Sequence, residues 1–402
     1  YILADTYFIS KAVGANGITA LNMALPVYGV IFALGQMVGV GSAIRYSIVK
    51  EQYRNSNKDG SNECDKYFSG ALFWGLVIGV IFAVLGLVFP DKIVEIMGGD
   101  ETIVAIGVPY FRIFMSFSPF FIFNYTCNAF VRNDGNPSVS MAATLISSLF
   151  NIVFDYILMF PLGMGMPGAA LATALSPVVG VMICMIHFLS KKNTVKFKWF
   201  KISLTRLFHC CQVGMSAFVG EMSGAVIVMV FNFIILRLTG NIGVAAYGVV
   251  ANTALVAVAV FNGVALGSQP LISESYGKHN IKDIKLIEKL GVATALGLAV
   301  IIVIMIWGFT DTIVGVFNSQ GSDRLLSLAR VGLRIYFIGF LFAGINIFCS
   351  SALSAIASVK WAFVLSILKG FVVVNVCAAI LAPIFGMNGV WVAFPLSEFI
   401  LL

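Results

Sequence analysis

The stretch NIVFDYILMFPLGMGMPGAALAT, residues 151–173, determines how the rest of this sequence is interpreted. It is apolar almost throughout, yet it carries an amide at Asn151, a carboxylate at Asp155 and a hydroxyl at Thr173. Asn151 and Asp155 are four residues apart and so share one face of a helix. The Gly/Pro run that follows ends this helix before Thr173. Because a carboxylate in an apolar span is costly, it indicates a functional site by default.

Composition places this stretch in a membrane protein. Of 402 residues, 59% are hydrophobic and 11% are charged, whereas soluble domains carry about 25% charged residues. Apolar runs of about twenty residues each predict a spanning helix. The chain opens and stops inside such runs, so we expect the first and last spans to be truncated. Twelve spans are predicted, at 1–11, 18–48, 67–90, 105–131, 138–161, 166–189, 208–237, 243–273, 287–309, 325–350, 359–384 and 388–402.

The two halves of the chain resemble each other. The segment GITALNMALPVYG, from Gly17, is similar to GVAAYGVVANTAL, from Gly243, and FPDKIVEIM is similar to FTDTIVGVF. Further pairs are Asp91 with Asp311, Arg112 with Arg334, Asn124 with Asn346 and Gly168 with Gly389. Each half holds an even number of spans, so both halves cross the membrane in the same sense, a design found in transporters.

The predicted fold class is therefore an all-α polytopic membrane protein with twelve transmembrane helices. These form two parallel six-helix repeats around a central cleft. The predicted divisions are an N-lobe at 1–189, a basic cytoplasmic linker at 190–206 and a C-lobe at 207–402.

Positive charge collects in alternate loops, and this pattern predicts the orientation. The formal net charge is +7, and the linker KKNTVKFKWFKISLTRL has no acidic residue. Lys/Arg-rich loops mark the cytoplasmic side, so these loops and the N-terminus are expected there, in a prokaryote-like plasma (inner) membrane. This placement accounts for the charge without a nucleic-acid partner. The Lys/aromatic alternation of the linker fits either an amphipathic segment on the anionic leaflet or a solvated loop.

The polar residues of the first half predict a cation site. The topology puts Asp5, Asn151, Asp155 and Thr173 in the outer half of their spans, with Tyr110 at a similar level. Two carboxylates close together at low dielectric require that one holds a proton or that both coordinate a metal ion. This oxygen-only set suits Na⁺ as well as H⁺. The alternatives are a helix cap for Asp5 and a structural hydrogen bond for Asp155.

The second half does not repeat this chemistry. The repeat places Ala378 opposite Asp155, so the ion site is predicted only in the first half. Two further acids lie in spans, Glu221 in span 7 and Glu398 in span 12. Facing a cleft, they would attract cationic substrates; Glu221 has the alternative of a core acid between Gly220 and Gly224.

Enzyme chemistry has no support in the sequence. There is no nucleophile–base pair, phosphate-binding loop or metal-ligand cluster, and the seven cysteines show no metal spacing. We therefore predict a protein that is not an enzyme and has no cofactor.

Several motifs together resemble the multidrug and toxic compound extrusion (MATE) family. They are DTYFIS from Asp5, RNDGNPS from Arg132, the 151–173 stretch, and VAAYGVVAN with QPLIS in the second half. The resemblance implies two six-helix bundles, a V-shaped cleft and cation-coupled extrusion of amphipathic, often cationic compounds. It also implies an N-lobe cation site at Asp5, Asn151, Asp155 and Thr173, with Tyr110 at a further matching position. Glu221 departs from the spacing of the C-lobe acid found in some branches, so no C-lobe ion site is expected.

The resulting hypothesis is a monomeric antiporter in the lipid membrane that exports organic cations in exchange for inward H⁺ or Na⁺. The alternative is a flippase for lipid-linked saccharides, which would need a cleft lined by several Arg and Lys residues. Basic residues inside spans are few, namely Arg330, Lys369, Arg112 and Arg334.

Overall fold

The structure is a computed structural model that describes residues 2–56, 60–201, 203–317 and 322–402. Within those ranges the chain is helical apart from short connections, and it contains no strand. The first residue of the predicted first span and residue 202 of the predicted linker lie outside the described residues. The helices are α1 Ile2–Ala12, α2 Ala15–Asn55, α3 Ser61–Val88, α4 Pro90–Ile96, α5 Glu101–Ser116, α6 Ser118–Asn133, α7 Pro137–Met159, α8 Gly165–Phe188, α9 Leu204–Gly277, α10 Ile281–Phe317, α11 Asp323–Tyr336, α12 Phe340–Ala355, α13 Val359–Ile367, α14 Val374–Phe385 and α15 Met387–Ile400.

These helices account for the twelve predicted spans. In the described part of the chain, eight helical segments are long and apolar enough to cross a membrane, and α5 with α6 forms a ninth span bent by 45°. α9 covers two predicted spans, which Gly240 separates with a non-helical backbone at φ 70°. α1, of 11 residues, corresponds to the predicted first span, and α15, of 14 residues, corresponds to the predicted last span. The prediction of an all-helical polytopic membrane protein is confirmed.

The internal repeat is visible in the places where helices break. Phe117 separates α5 from α6, and a 3₁₀ turn at Phe337–Gly339 separates α11 from α12 at the equivalent point of the second half. Likewise, non-helical backbone at Phe89 precedes α4, and non-helical backbone at Phe309 interrupts α10. These are the matching segments FPDKIVEIM and FTDTIVGVF. The two halves therefore repeat irregular features as well as helices.

Contacts divide the chain into two compact units, Tyr1–Phe218 and Val219–Leu402, and the boundary falls inside α9. Each unit has its own core of aromatic and aliphatic side chains, with Phe111 and Phe114 buried in the first and Phe231 and Trp391 in the second. Large apolar side chains also remain exposed along most helices. Such exposure fits lipid-facing surfaces, because hydrocarbon does not penalise them.

Two glycines bring α2 and α9 into close contact inside the first unit. A Cβ on Gly41 would lie 2.1 Å from the carbonyl oxygen of Cys210, and a Cβ on Gly214 would lie 2.0 Å from that of Met37. Both obstacles are backbone atoms, which cannot rotate away. This contact fixes the start of α9 against α2.

Gly41→Ala is therefore expected to lower the free energy of unfolding by about 1–3 kcal/mol, because the methyl group forces the two backbones apart. Gly29→Ala on the same helix is the matched control, since a Cβ there would meet nothing within 4 Å. The check is the melting temperature of both variants in detergent. Equal melting temperatures would show that the contact is not tight.

Candidate cation site in the first unit

Four helices of the first unit bring the predicted cation-site residues together. Asp5 lies on α1, Asn151 and Asp155 on α7, Thr173 on α8 and Tyr110 on α5. All five are buried, with Asn151 and Asp155 fully inaccessible at 0%. Their elements pack directly against one another, α7 against α8 and α1 against both.

The close pairing of α7 and α8 follows from the turn between them. Gly163 and Gly165 adopt positive φ of 61° and 56°, which lets the chain reverse within a few residues. Gly168 then meets the backbone of Leu158, where a Cβ would lie 3.1 Å from the carbonyl. The glycines of FPLGMGMPG thus position Thr173 beside Asn151.

The five side chains are neighbours, and one hydrogen bond between two of them is defined. Asn151 Nδ2 donates a hydrogen bond of 3.3 Å to Thr173 Oγ1. The carboxyl groups of Asp5 and Asp155 are neighbours in this buried cluster. Tyr110 and Thr173 line one pocket together with Asp5. The structure therefore brings all five predicted residues into one cluster.

Four oxygen atoms of this cluster lack a hydrogen-bond donor among the described residues. They are Asp5 Oδ1, Asn151 Oδ1 and both carboxylate oxygens of Asp155. Buried polar atoms are normally satisfied, and each exception needs an explanation. Two neighbouring carboxyl groups in a buried site cannot both be ionised unless a cation lies between them. The donor set fits a hard cation such as Na⁺, or a proton shared between the carboxyls.

A small pocket leads to the cluster. Its lining includes Asp5, Thr173 and Tyr110, together with Tyr28 and Leu25 of α2. Tyr28 was not predicted from the sequence, where it is one of twelve tyrosines. The signal that could have found it is its place on α2, because Leu21, Leu25 and Tyr28 lie on one helical face. Tyr28 adds a phenol to the wall that Asp5 lines.

The acids of the second unit are placed differently. Glu221 is exposed on α9. Glu398 is 3% exposed, and the amide of Asn346 donates to its Oε2 at 2.8 Å. Lys369, in a π-helical turn at Leu368–Val373, has its Nζ 4.0 Å from Glu398 Oε1. Within this unit Glu398 is thus held by an amide and an ammonium group, and its role toward substrate stays a prediction.

The RNDGNP motif forms a second polar cluster, one the sequence did not predict. Asp134 follows α6, and Lys50 Nζ lies 2.8 Å from its Oδ1. His187 Nε2 and the backbone N–H of Thr194 each lie 2.9 Å from Oδ2. The hydroxyls of Tyr46 and Thr194 donate to the same carboxylate. Gly135, at φ 86°, makes the turn that presents Asp134 to these donors.

Burial by itself would raise the pKa of Asp134, but these hydrogen bonds outweigh it. The bonds from Lys50, Thr194 and Tyr46 stabilise the ionised form and hold the pKa of Asp134 below its ordinary value. Asp134 therefore ties the end of α6 to α2, α8 and the linker by charge-assisted bonds.

Together, the repeated helices and the buried oxygen cluster define a polytopic helical membrane protein of the transporter type. Comparison with known proteins specifies the family. The MatE family model matches residues 1–157 and again 217–381, which is most of the chain and falls once in each half. The chain belongs to the MatE (MATE) family.

Individual relatives agree with this assignment. The chain is 26% identical over 411 residues to the multidrug export protein MepA of Staphylococcus aureus (strain bovine RF122 / ET3-1), covering 99% of this chain and 86% of the relative. It is 25% identical to MepA of Staphylococcus saprophyticus subsp. saprophyticus, covering 97% and 84%.

Solved structures show the same fold. An outward-facing multidrug resistance MATE family transporter of the MOP superfamily superposes with a TM-score of 0.92 at 21% identity, covering 100% of this chain and 88% of that chain. A MOP superfamily transporter from Pyrococcus furiosus superposes with a TM-score of 0.90 at 21% identity, with the same coverage.

Proposed function

We propose that this protein is a secondary antiporter that exports amphipathic or cationic organic compounds in exchange for inward H⁺ or Na⁺. The observation that carries the proposal is the set of unsatisfied oxygens on Asp5, Asn151 and Asp155. Membership of the family and the likeness to multidrug export proteins support the class of substrate. The proposal includes a monomer in the plasma membrane, with the Lys/Arg-rich loops on the cytoplasmic side.

The cation would act by changing the charge of the cluster. A proton or Na⁺ entering beside Asp5 neutralises the pair it forms with Asp155, and Asn151 and Thr173 supply neutral oxygens to the same ion. A neutral cluster packs at low dielectric with a smaller penalty than two carboxylates. Binding therefore favours the conformation in which the cluster is closed.

Transport then follows from linkage between two sites. If the cation favours one conformation of the two lobes, 1–189 and 207–402, and the exported compound favours the other, each ligand lowers the affinity of the other. Rocking of one repeat against the other exposes the exported compound to each side in turn. Glu221 and Glu398 are proposed as candidates for contact with cationic compounds.

The coupling ion is testable by imposing one gradient at a time. We expect export of the fluorescent organic cation ethidium from proteoliposomes to be driven by one of two gradients, H⁺ or Na⁺, applied at zero membrane potential. The rate of export with the driving gradient should exceed the rate without a gradient by about tenfold or more. Protein-free liposomes are the control.

Antiport would be contradicted if neither the H⁺ gradient nor the Na⁺ gradient raised the rate of ethidium export above the rate without a gradient. A parallel assay with a lipid-linked saccharide tests the alternative. Translocation of that lipid by the protein, without ethidium export, would favour the flippase.

A further inference from the structure

A second pocket of the first unit lies where the basic linker meets α3 and the start of α9. Its lining combines cationic and aromatic side chains, namely Lys66, Trp74, Lys198, Trp199, Lys201 and Arg206. None of these residues belongs to the cation cluster or to the second unit. The pocket therefore needs its own explanation.

The linker that forms one wall lies outside any helix and is bound to α3 through its backbone. The backbone N–H of Lys196 donates to Asp65 Oδ1 at 2.7 Å, and that of Lys198 donates to Ser69 Oγ at 2.9 Å. Val195 lies between these two bonded residues and Thr194 of the Asp134 cluster, and it is 1% exposed. These bonds fix the position of the linker against α3. The wall is built into the fold.

The pocket carries excess positive charge. Lys198 pairs with Asp65 at 2.7 Å. Lys66 and Arg206 share the single carboxylate of Glu63. Lys201 is exposed, and no acidic partner for it occurs in the part of the chain that the structure describes. The four cationic side chains of the pocket are thus balanced by only two carboxylates, those of Glu63 and Asp65. An excess of two positive charges remains for an anionic ligand.

The position of the pocket along α3 identifies the kind of anion. α3 begins with the polar segment SNECDKY and is apolar from Phe68 onward. Beyond the pocket, Leu76, Val80 and Ile81 are 42%, 44% and 54% exposed. Trp199 at the pocket is 85% exposed, and tryptophan is enriched at the interface between hydrocarbon and headgroups. A charged pocket therefore continues directly into a lipid-facing apolar surface.

We propose that this pocket binds one anionic glycerophospholipid. Its phosphate would be held by Lys201 and Arg206 and its acyl chains would lie along the exposed face of α3. Basic residues beside a membrane attract anionic lipids, and basic pockets at helix ends bind their headgroups. The lipid would join the linker to α3 and stabilise the first unit. This proposal is independent of which compound the protein exports.

Native mass spectrometry of the purified protein with equimolar phosphatidylglycerol and phosphatidylcholine tests the proposal. We expect the protein to retain one phosphatidylglycerol at least about fivefold more than phosphatidylcholine. Lys201→Gln with Arg206→Gln should remove this preference. Lys201→Gln alone, which breaks no ion pair of the described residues, should reduce it about threefold and keeps the test valid if the double variant unfolds.

A matched control comes from another basic segment. Lys282→Gln with Lys285→Gln at the start of α10 removes the same charge in the second unit and should leave the preference unchanged. Equal retention of both lipids by the unaltered protein would overturn the proposal, as would an equal loss in the α10 control. Displacement of phosphatidylglycerol by millimolar inorganic phosphate would also overturn it, because the site would then recognise a free anion.

Discussion

Asp155→Asn is expected to abolish cation-coupled export, lowering it by about a hundredfold while the protein still folds and inserts. Asp155 is fully buried, and neither of its carboxylate oxygens has a hydrogen-bond donor among the described residues. Asparagine preserves the shape, but it cannot take up and release a proton or offer a charge to Na⁺. The measurement is gradient-driven ethidium export from proteoliposomes at equal protein content.

Two comparisons make this result specific. Asp91→Asn removes an exposed carboxylate on α4 and should leave export unchanged. Asp5→Asn should behave like Asp155→Asn, because the two carboxyls form one pair. Export by Asp155→Asn at the unaltered rate, under the same gradient, would exclude Asp155 from coupling.

Asp134→Asn is expected to lower the free energy of unfolding by about 3 kcal/mol, through loss of charge-assisted hydrogen bonds. Lys50, His187 and Thr194 all bring N–H groups to this carboxylate. An amide presents one acceptor and an additional donor to them. The check is thermal unfolding in detergent, with the exposed Glu95→Gln as control. A melting temperature equal to that of the control would contradict a structural role for the RNDGNP carboxylate.

The stabilisation provided by Asp134 is expected to depend on pH. Because the folded-state pKa of Asp134 lies below its value in the unfolded chain, its contribution is complete above the unfolded pKa of about 3.9 and is lost as the pH falls through the folded pKa. The difference in melting temperature between the unaltered protein and Asp134→Asn should thus shrink as the pH falls below about pH 4. A constant difference at every pH would show that the charge of Asp134 is not involved.

The spans and the repeat could be read from the sequence because they depend on local composition. A run of twenty apolar residues requires a helix in hydrocarbon, whatever it packs against. Most of the cation cluster could also be predicted from the sequence, because Asn151 and Asp155 share a helical face and the topology sets the depth of Asp5. The place of Tyr110 beside Asp5 and Thr173 depends on the packing of α5 on α8, which no spacing in the sequence encodes.

Other features depended on contacts between distant residues. Asp134 receives bonds from Tyr46 and Thr194, which no motif links to it. The sequence showed Lys369 only as a basic residue inside a span, and the fold places it near Glu398. Neither pairing follows from periodicity, because each joins different helices.

The linker shows how one pattern can fit two structures. Alternating Lys and aromatic residues at 196–200 were compatible with an amphipathic segment or a solvated loop. The structure has a segment outside any helix whose N–H groups bind Asp65 and Ser69. Polar side chains of α3, together with Asp134, therefore hold this segment, and the sequence alone does not identify them.

We propose that the exported compound and the coupling cation oppose each other through the Asp5–Asp155 cluster. The most direct test of this proposal is release of bound cation from purified protein when ethidium is added, followed as proton release in weak buffer or as loss of bound ²²Na⁺. We expect release from the unaltered protein and none from Asp155→Asn. Release of equal size from both proteins would contradict it.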